Sequence, residues 1–183
     1  MLFRLKTYVT EAKNAVQECF ISFACGNLEH ERWVEHSLAT DLLKAGIKVV
    51  LDRWDNAQIN ASIPRFVERV AKCDRVIVVG TPLYRTKYEN KDPARGTVVA
   101  AEGHLIGNRM LGTDAQKLSV LPILVEGTEE TSFPALLHGR VYADFRRSET
   151  YTEKALDLLL SLYEIKPRDP VAIDLRESLR GMK

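Results

Sequence analysis

Glu102 stands in the stretch Val98-Val99-Ala100-Ala101-Glu102-Gly103-His104-Leu105-Ile106, where small residues flank a single carboxylate. A carboxylate that a ligand can approach closely is able to stabilise positive charge developing on that ligand. The other chemistry-bearing residues offer less. His30, His36, His104 and His138 show no metal-ligand spacing, and no HExxH occurs, so no metal centre is indicated. Cys19, Cys25 and Cys73 form no CxxC pair and read as small hydrophobes in a reducing compartment. Ser22 lies within Phe20-Ile21-Ser22-Phe23-Ala24 without the glycines of a nucleophile elbow, and is read as structural. There is no GxGxxG after the first strand and no GxxxxGK[ST] anywhere, which leaves dinucleotide-fold and P-loop sites unsupported. A phosphoacceptor receiver would need acidic residues where the first and third strands end, but those ends read Phe23-Ala24 and Gly80-Thr81.

The elements that must hold Glu102 alternate along the chain. Strands are expected at 19–24, at 47–51, at 74–80 (β-branched and continuous, as for burial on both faces), at 118–125 and, at an edge, at 141–145. Pro122 is expected near a strand end or a bulge rather than in mid-ladder. Helices are expected from Leu28 to Ala45, stopped by Gly46, and from Pro64 to Lys72. Two more are expected over Thr97–Leu111 and Tyr151–Tyr163. Residues 81–96 read as a long polar loop feeding the helix that bears Glu102. Residues 1–18 have helical spacing and read as an added helix or linker. Residues 19–166 form the α/β unit. Residues 167–183 read as a weakly docked tail, or one leading to a further domain. Such alternation implies parallel βαβ crossovers. Ligands of such sheets bind beyond the carboxyl ends of the strands.

Composition sets the limits. The chain has 183 residues, 45% hydrophobic and 28% charged, with a formal net charge of +1. That is an ordinary globular balance with no global field toward nucleic acid or anionic membrane. No apolar run is long enough to span a bilayer and no secretory core opens the chain. A cytoplasmic location is therefore expected.

Several segments in order resemble the TIR (Toll/interleukin-1 receptor) domain family in its bacterial, SEFIR-like branch. Phe20-Ile21-Ser22-Phe23 resembles the opening-strand motif, and His30-Glu31-Arg32-Trp33-Val34 the start of the first helix. Gly46-Ile47-Lys48-Val49-Val50-Leu51-Asp52-Arg53-Trp54 resembles the entry to the BB loop. Asp74-Arg75-Val76-Ile77-Val78-Val79-Gly80-Thr81-Pro82-Leu83-Tyr84 resembles the branch's third strand and the turn after it. The resemblance runs from about Cys19 to Tyr163. It implies a flavodoxin-like three-layer sandwich, with a central five-stranded parallel sheet flanked by helices.

The resemblance also implies a function. Many members cleave NAD⁺ at the nicotinamide–ribose bond with a glutamate on the helix after the third strand, and Glu102 occupies that place. Val98 and Val99 stand where the commoner form of the motif has Trp and Cys. Nicotinamide departs neutral from a cationic pyridinium, so no general acid is needed, and one carboxylate suffices for the oxocarbenium-like ribose. Phe23, Ala24 and Cys25 are implied at the pocket floor. Arg53, Trp54 and Asp55 open the BB loop, where Trp54 either stacks on a ligand ring or covers the sheet edge. Tyr84 and Arg85 are implied at the diphosphate or adenine, whereas Lys87 and Arg95 read as a solvated face.

NAD⁺ is on this view the substrate, to nicotinamide and ADP-ribose or a cyclic form, and no cofactor or metal is called for. Self-association through TIR–TIR contacts would activate the enzyme, in bacterial defence or signalling, with a fused sensor or effector domain as a further expected partner. The alternative is a catalytically silent TIR/SEFIR module for homotypic assembly. A third reading is another N-glycosidic enzyme using Glu102 as nucleophile.

Overall fold

Five apolar runs become five parallel strands, and the amphipathic stretches between them become the helices that cover both faces. The computed structural model describes residues 18–51, 63–89 and 97–181. The expected N-terminal helix and the BB-loop residues Arg53, Trp54 and Asp55 lie outside the described residues. The strands are β1 (Glu18–Ser22), β2 (Lys48–Val50), β3 (Arg75–Gly80), β4 (Val120–Leu124) and β5 (Ala143–Asp144). They form one sheet in the order β2-β1-β3-β4-β5, every pair parallel. Chain order reverses between β1 and β3, which makes the crevice beyond their carboxyl ends the switch point.

Alternation along each strand divides the core. Cys19, Ile21, Ile77, Val79 and Ile123 are buried on one face. They meet Val34, Leu38 and Leu42 of α1, a continuous helical run from Leu28 to Lys44. Leu156, Leu159 and Leu160 of α7 (Tyr151–Leu162) cover the rest of that face, with Ala172 and Leu175 of α8 (Pro170–Arg180) beside them. Phe20, Val76, Val78, Val120 and Leu124 point to the other face. There they meet Phe66 and Val70 of α2 (Ile63–Lys72), Tyr84 of α3 (Pro82–Glu89) and Ile106 of α4 (Thr97–Leu111). Two short helices, α5 (Asp114–Leu118) and α6 (Glu129–Ser132), flank β4.

Four departures from the sequence reading have physical causes. The segment after Thr81 is not loop throughout, because Pro82–Glu89 is helical. Thr81 accepts the Tyr84 N–H at 3.0 Å and Pro82 follows it, an N-cap with proline in the first turn. The middle of α1, Trp33–Ala39, is π-helical rather than α-helical. Thr40 Oγ1 donates to Glu35 O at 2.9 Å across the widened turn.

Pro122 sits within β4 opposite Val78. Val125 N–H donates to Gly80 O and Leu124 O accepts from Phe145 N–H, so even-numbered residues of β4 address the β5 side. There β5 pairs only with Ile123 and Leu124, and the missing N–H of Pro122 costs the ladder nothing. The tail, finally, is integral to the core. Asp169 caps α8 by accepting Val171 N–H at 2.9 Å, Arg176 reaches Asp157 of α7 at 3.0 Å, and Ala172 and Leu175 are buried.

Candidate active site

The carboxyl edge of the sheet is built from the β1–α1 loop, the first turn of α3, the start of α4 and the loop after β4. β1 is followed by Phe23 and Ala24, which are 6% and 5% exposed. Both belong to the core beneath the crevice, Phe23 on the α1 face and Ala24 on the α4 face. Gly26 follows with φ +123°, a conformation that side-chain-bearing residues rarely adopt. Its N–H donates to Glu31 Oε1 at 2.6 Å. Asn27 then caps α1 by accepting the N–H groups of Glu29 and His30 at 3.0 and 3.2 Å. On the far side of this loop His30 Nε2 lies 3.8 Å from Glu126 Oε2.

Helix α3 fastens this loop to the rest of the edge. Lys87 Nζ donates to Cys25 O, which draws an ammonium group across the end of β1. The solvated-face reading of Lys87 is thereby corrected. Its register, five residues after the Pro82 that starts α3, would have suggested this had the helix been recognised. Tyr84 is fully buried, and its hydroxyl shares a 3.0 Å hydrogen bond with Ser22 Oγ. The expectation that Tyr84 meets a ligand is therefore corrected: in α3 the third helical residue faces the sheet, and the ring fills the core behind the crevice. Ser22, buried on that same bond, is structural. Arg85 lies on the outer side of α3, its Nε donating to Glu89 Oε1 at 2.9 Å in an i,i+4 pair.

Tyr88 joins α3 to α4. Its hydroxyl donates to Gly103 O at 3.3 Å, and a Cβ added to Gly103 would lie 3.1 Å from its ring. Burial raises the Tyr88 pKa above the ordinary phenol value. Glu102 immediately precedes Gly103 and stands one turn before the buried Ile106 in the helix. It occupies the second turn of a helix that begins at Thr97, the second helix after β3 in chain order. Of the predicted residues, then, the described structure buries Ala24 and Tyr84 in the core on the α4 face and Phe23 in the core on the α1 face, and leaves Arg85 paired with Glu89 on α3.

Two observations limit rival sites. Among the described residues no group of three or more His, Cys, Asp or Glu side chains is arranged to hold a metal ion. A cleft of about 320 Å³ between α7 and α8 is lined by Glu153, Lys154, Asp157, Arg176 and Arg180. It lies on the other face of the sheet from α4, and its mixed charges pair among themselves, as Arg176 does with Asp157 at 3.0 Å. No described helix is long and apolar enough to cross a membrane.

Comparison with known proteins agrees with this architecture. A prokaryotic SEFIR domain of known crystal structure superposes with a TM-score of 0.58 at 25% identity, covering 80% of this chain and 98% of its own. The TIR domain of the Toll-related receptor TRR-2 from Hydra magnipapillata gives 0.55 at 21% identity, covering 79% and 96%. No curated protein sequence matches the chain. The TIR domain family model matches residues 19–160, a span that ends before α8. By that match and by its parallel sheet in the order β2-β1-β3-β4-β5, the chain belongs to the TIR domain family.

Proposed function

We propose that this TIR domain is an NAD⁺ glycohydrolase with Glu102 as its catalytic carboxylate. The observation that carries the reading is the position of Glu102 in the second turn of α4, the second helix after β3 and joined through Tyr88 to the helix that leaves the β1/β3 switch point. Cleavage breaks the bond between ribose C1′ and the pyridinium nitrogen. The bonding electrons stay with nitrogen, so nicotinamide leaves neutral, and water adds to C1′ with loss of one proton to give ADP-ribose. A cyclic product forms instead where the adenine of the same molecule takes the place of water. The carboxylate lowers the barrier by facing the positive charge that develops on the ribose. The Lys87 ammonium, across the end of β1, supplies the charge that suits the diphosphate.

Self-association through TIR–TIR contacts would complete the site, which places the enzyme in signalling or defence and makes its rate depend on protein concentration. Nicotinamide release from NAD⁺, followed over a protein concentration series, tests the activity. A rate that rises more steeply than protein concentration supports both the activity and the assembly step. No release at any concentration rejects the activity.

A second reading is a homotypic interaction module in which Glu102 is incidental. The burial of Phe23, Ala24 and Tyr84 favours it, since these residues do not present ligand-binding groups to the crevice. Self-association that persists in Glu102→Ala, without NAD⁺ turnover by either form, would establish that reading.

A further inference from the structure

Helix α3 makes three separate attachments on its inner side. Tyr84 holds Ser22 of β1, Lys87 holds Cys25 O of the β1–α1 loop, and Tyr88 holds Gly103 of α4. We propose that Tyr88 is a positioning residue that fixes the turn of α4 carrying Glu102, an inference that rests on Glu102 being the catalytic carboxylate.

The contact is close enough that a side chain at Gly103 would force the Tyr88 ring to shift by a few tenths of an ångström. A Cβ on Gly103 would stand 3.1 Å from Tyr88 Cε2 and 3.3 Å from Cδ2, while one on Gly107 would stand 3.8 Å from the Tyr88 hydroxyl. Gly103 and Gly107 are one turn apart, so the ring lies along a shallow groove on the helix backbone with its hydroxyl on the Gly103 carbonyl. The Tyr84 ring stands beside it at 6.3 Å between centroids, and the Tyr84 hydroxyl is itself fixed to Ser22. Tyr88 is therefore held from the sheet side as well as by its own helix.

The helix needs such a clamp. Its first eleven residues, Thr97 to Gly107, include Thr97, Val98 and Val99, which are β-branched, and two glycines. All of these disfavour helix relative to alanine or leucine. Local propensity alone does not hold this half of α4 in place, and packing must. Electrostatic stabilisation of a transition state depends on a carboxylate that is already in place when charge develops, and a displacement of about 1 Å costs on the order of a hundredfold in rate. The ring of Tyr88 supplies the packing at the residue next to Glu102.

The test measures kcat and KM for NAD⁺ separately, together with amide hydrogen exchange, in the full chain. The variants are Tyr88→Ala, Tyr88→Phe, Gly103→Ala and the double variant Gly103→Ala/Tyr88→Ala, with Glu102→Ala as reference. Tyr88→Ala is expected to lower kcat by at least about tenfold with KM within about threefold of the parent, because positioning acts on the transition state rather than on binding. Tyr88→Phe keeps the ring and is expected to retain kcat within about threefold, the 3.3 Å hydroxyl contact being long. Gly103→Ala shifts the ring by a few tenths of an ångström and is expected to lower kcat in the same direction as Tyr88→Ala and by no more. The double variant then loses no more than the worse single one, because both act through one contact.

Exchange should quicken for residues 97–107 and stay unchanged in β1 and β3. Parental kcat in Tyr88→Ala and Gly103→Ala, while Glu102→Ala is inactive, overturns the proposal. So does a fall in kcat accompanied by faster exchange throughout the sheet, which would mean a general loss of stability. Parental turnover by Glu102→Ala rejects the catalytic assignment itself and is recognised without reference to Tyr88.

Discussion

The two edges of the sheet are fastened by different forces. At the amino edge the fastenings are charged. Arg69 grips the Glu18 carboxylate through Nε and Nη2 at 3.0 and 2.8 Å, and the Glu18 N–H donates to Asp74 at 2.8 Å. Arg75 pairs with Glu164. Arg109, near the end of α4, closes the last turn of α2 by donating to the carbonyls of Val70, Ala71 and Cys73 at 3.4, 3.2 and 2.5 Å. It also reaches Ser119 Oγ at 3.0 Å. At the carboxyl edge several fastenings are instead contacts of rings with small residues: Tyr88 on Gly103, Tyr84 against Ser22, Phe133 against Gly80. A cationic residue there, Lys87, binds a backbone carbonyl rather than a carboxylate. The amino edge joins charged side chains across elements, whereas the carboxyl edge adds ring packing to charged groups that bind backbone, as Lys87 does at Cys25 O and Arg146 at Gly127 O. In open α/β sheets ligands bind beyond the carboxyl ends of the strands, the edge where this ring packing lies.

The comparison can be broken most severely at Gly80. A Cβ there would fall 2.7 and 2.8 Å from Phe133 Cζ and Cδ1, so Gly80→Ala should destabilise by about 3 kcal/mol through overpacking. Denaturant unfolding should show this loss equally at low and high salt, since no charge is involved.

Arg109→Ala tests the other edge. Removing the clamp should cost about 2 kcal/mol by leaving the α2 carbonyls without their charged donor. Turnover per folded molecule should remain parental; a selective loss of turnover in a fully folded variant would contradict the division between the edges.

Ser22→Ala should cost about 1 kcal/mol by removing one partner of the buried Tyr84 hydroxyl, measured as a shift in urea midpoint.

A further effect is confined to alkaline pH. Burial pushes the Cys73 thiol up from 9.0 to about 12. A raised pKa means that its contribution is complete below about pH 9 and lost as pH rises toward 12, because the unfolded chain ionises first. The urea midpoint should therefore fall between pH 9 and pH 12, and Cys73→Ala should flatten that fall.

Much of this arrangement was legible before the structure. The β-branched run 75–80 and the 3.6-residue spacing of 97–111 identified β3 and α4, and with them the helix of Glu102. The α3 helix was obscured because residues 82–89 are mostly polar, so hydrophobic periodicity carried little signal. The Thr81-Pro82 start is the legible sign of the helix, and a loop there misplaces Lys87 and Tyr84 together. Tyr84 reads as a ligand residue only if its backbone is a loop; once the backbone is helical, the ring must enter the core. Tyr88 drew no notice because its partner is a glycine backbone, which leaves no pattern in side-chain chemistry. The π-helical middle of α1 and the edge position of the Pro122 nitrogen depend on ladder geometry that no local spacing encodes.

The most direct test of the central claim is chromatographic measurement of NAD⁺ turnover over a protein concentration series, parent against Glu102→Ala. Nicotinamide release by the parent should rise more steeply than protein concentration and fall by at least about a hundredfold in the variant. Equal release by the two proteins would contradict the assignment of Glu102.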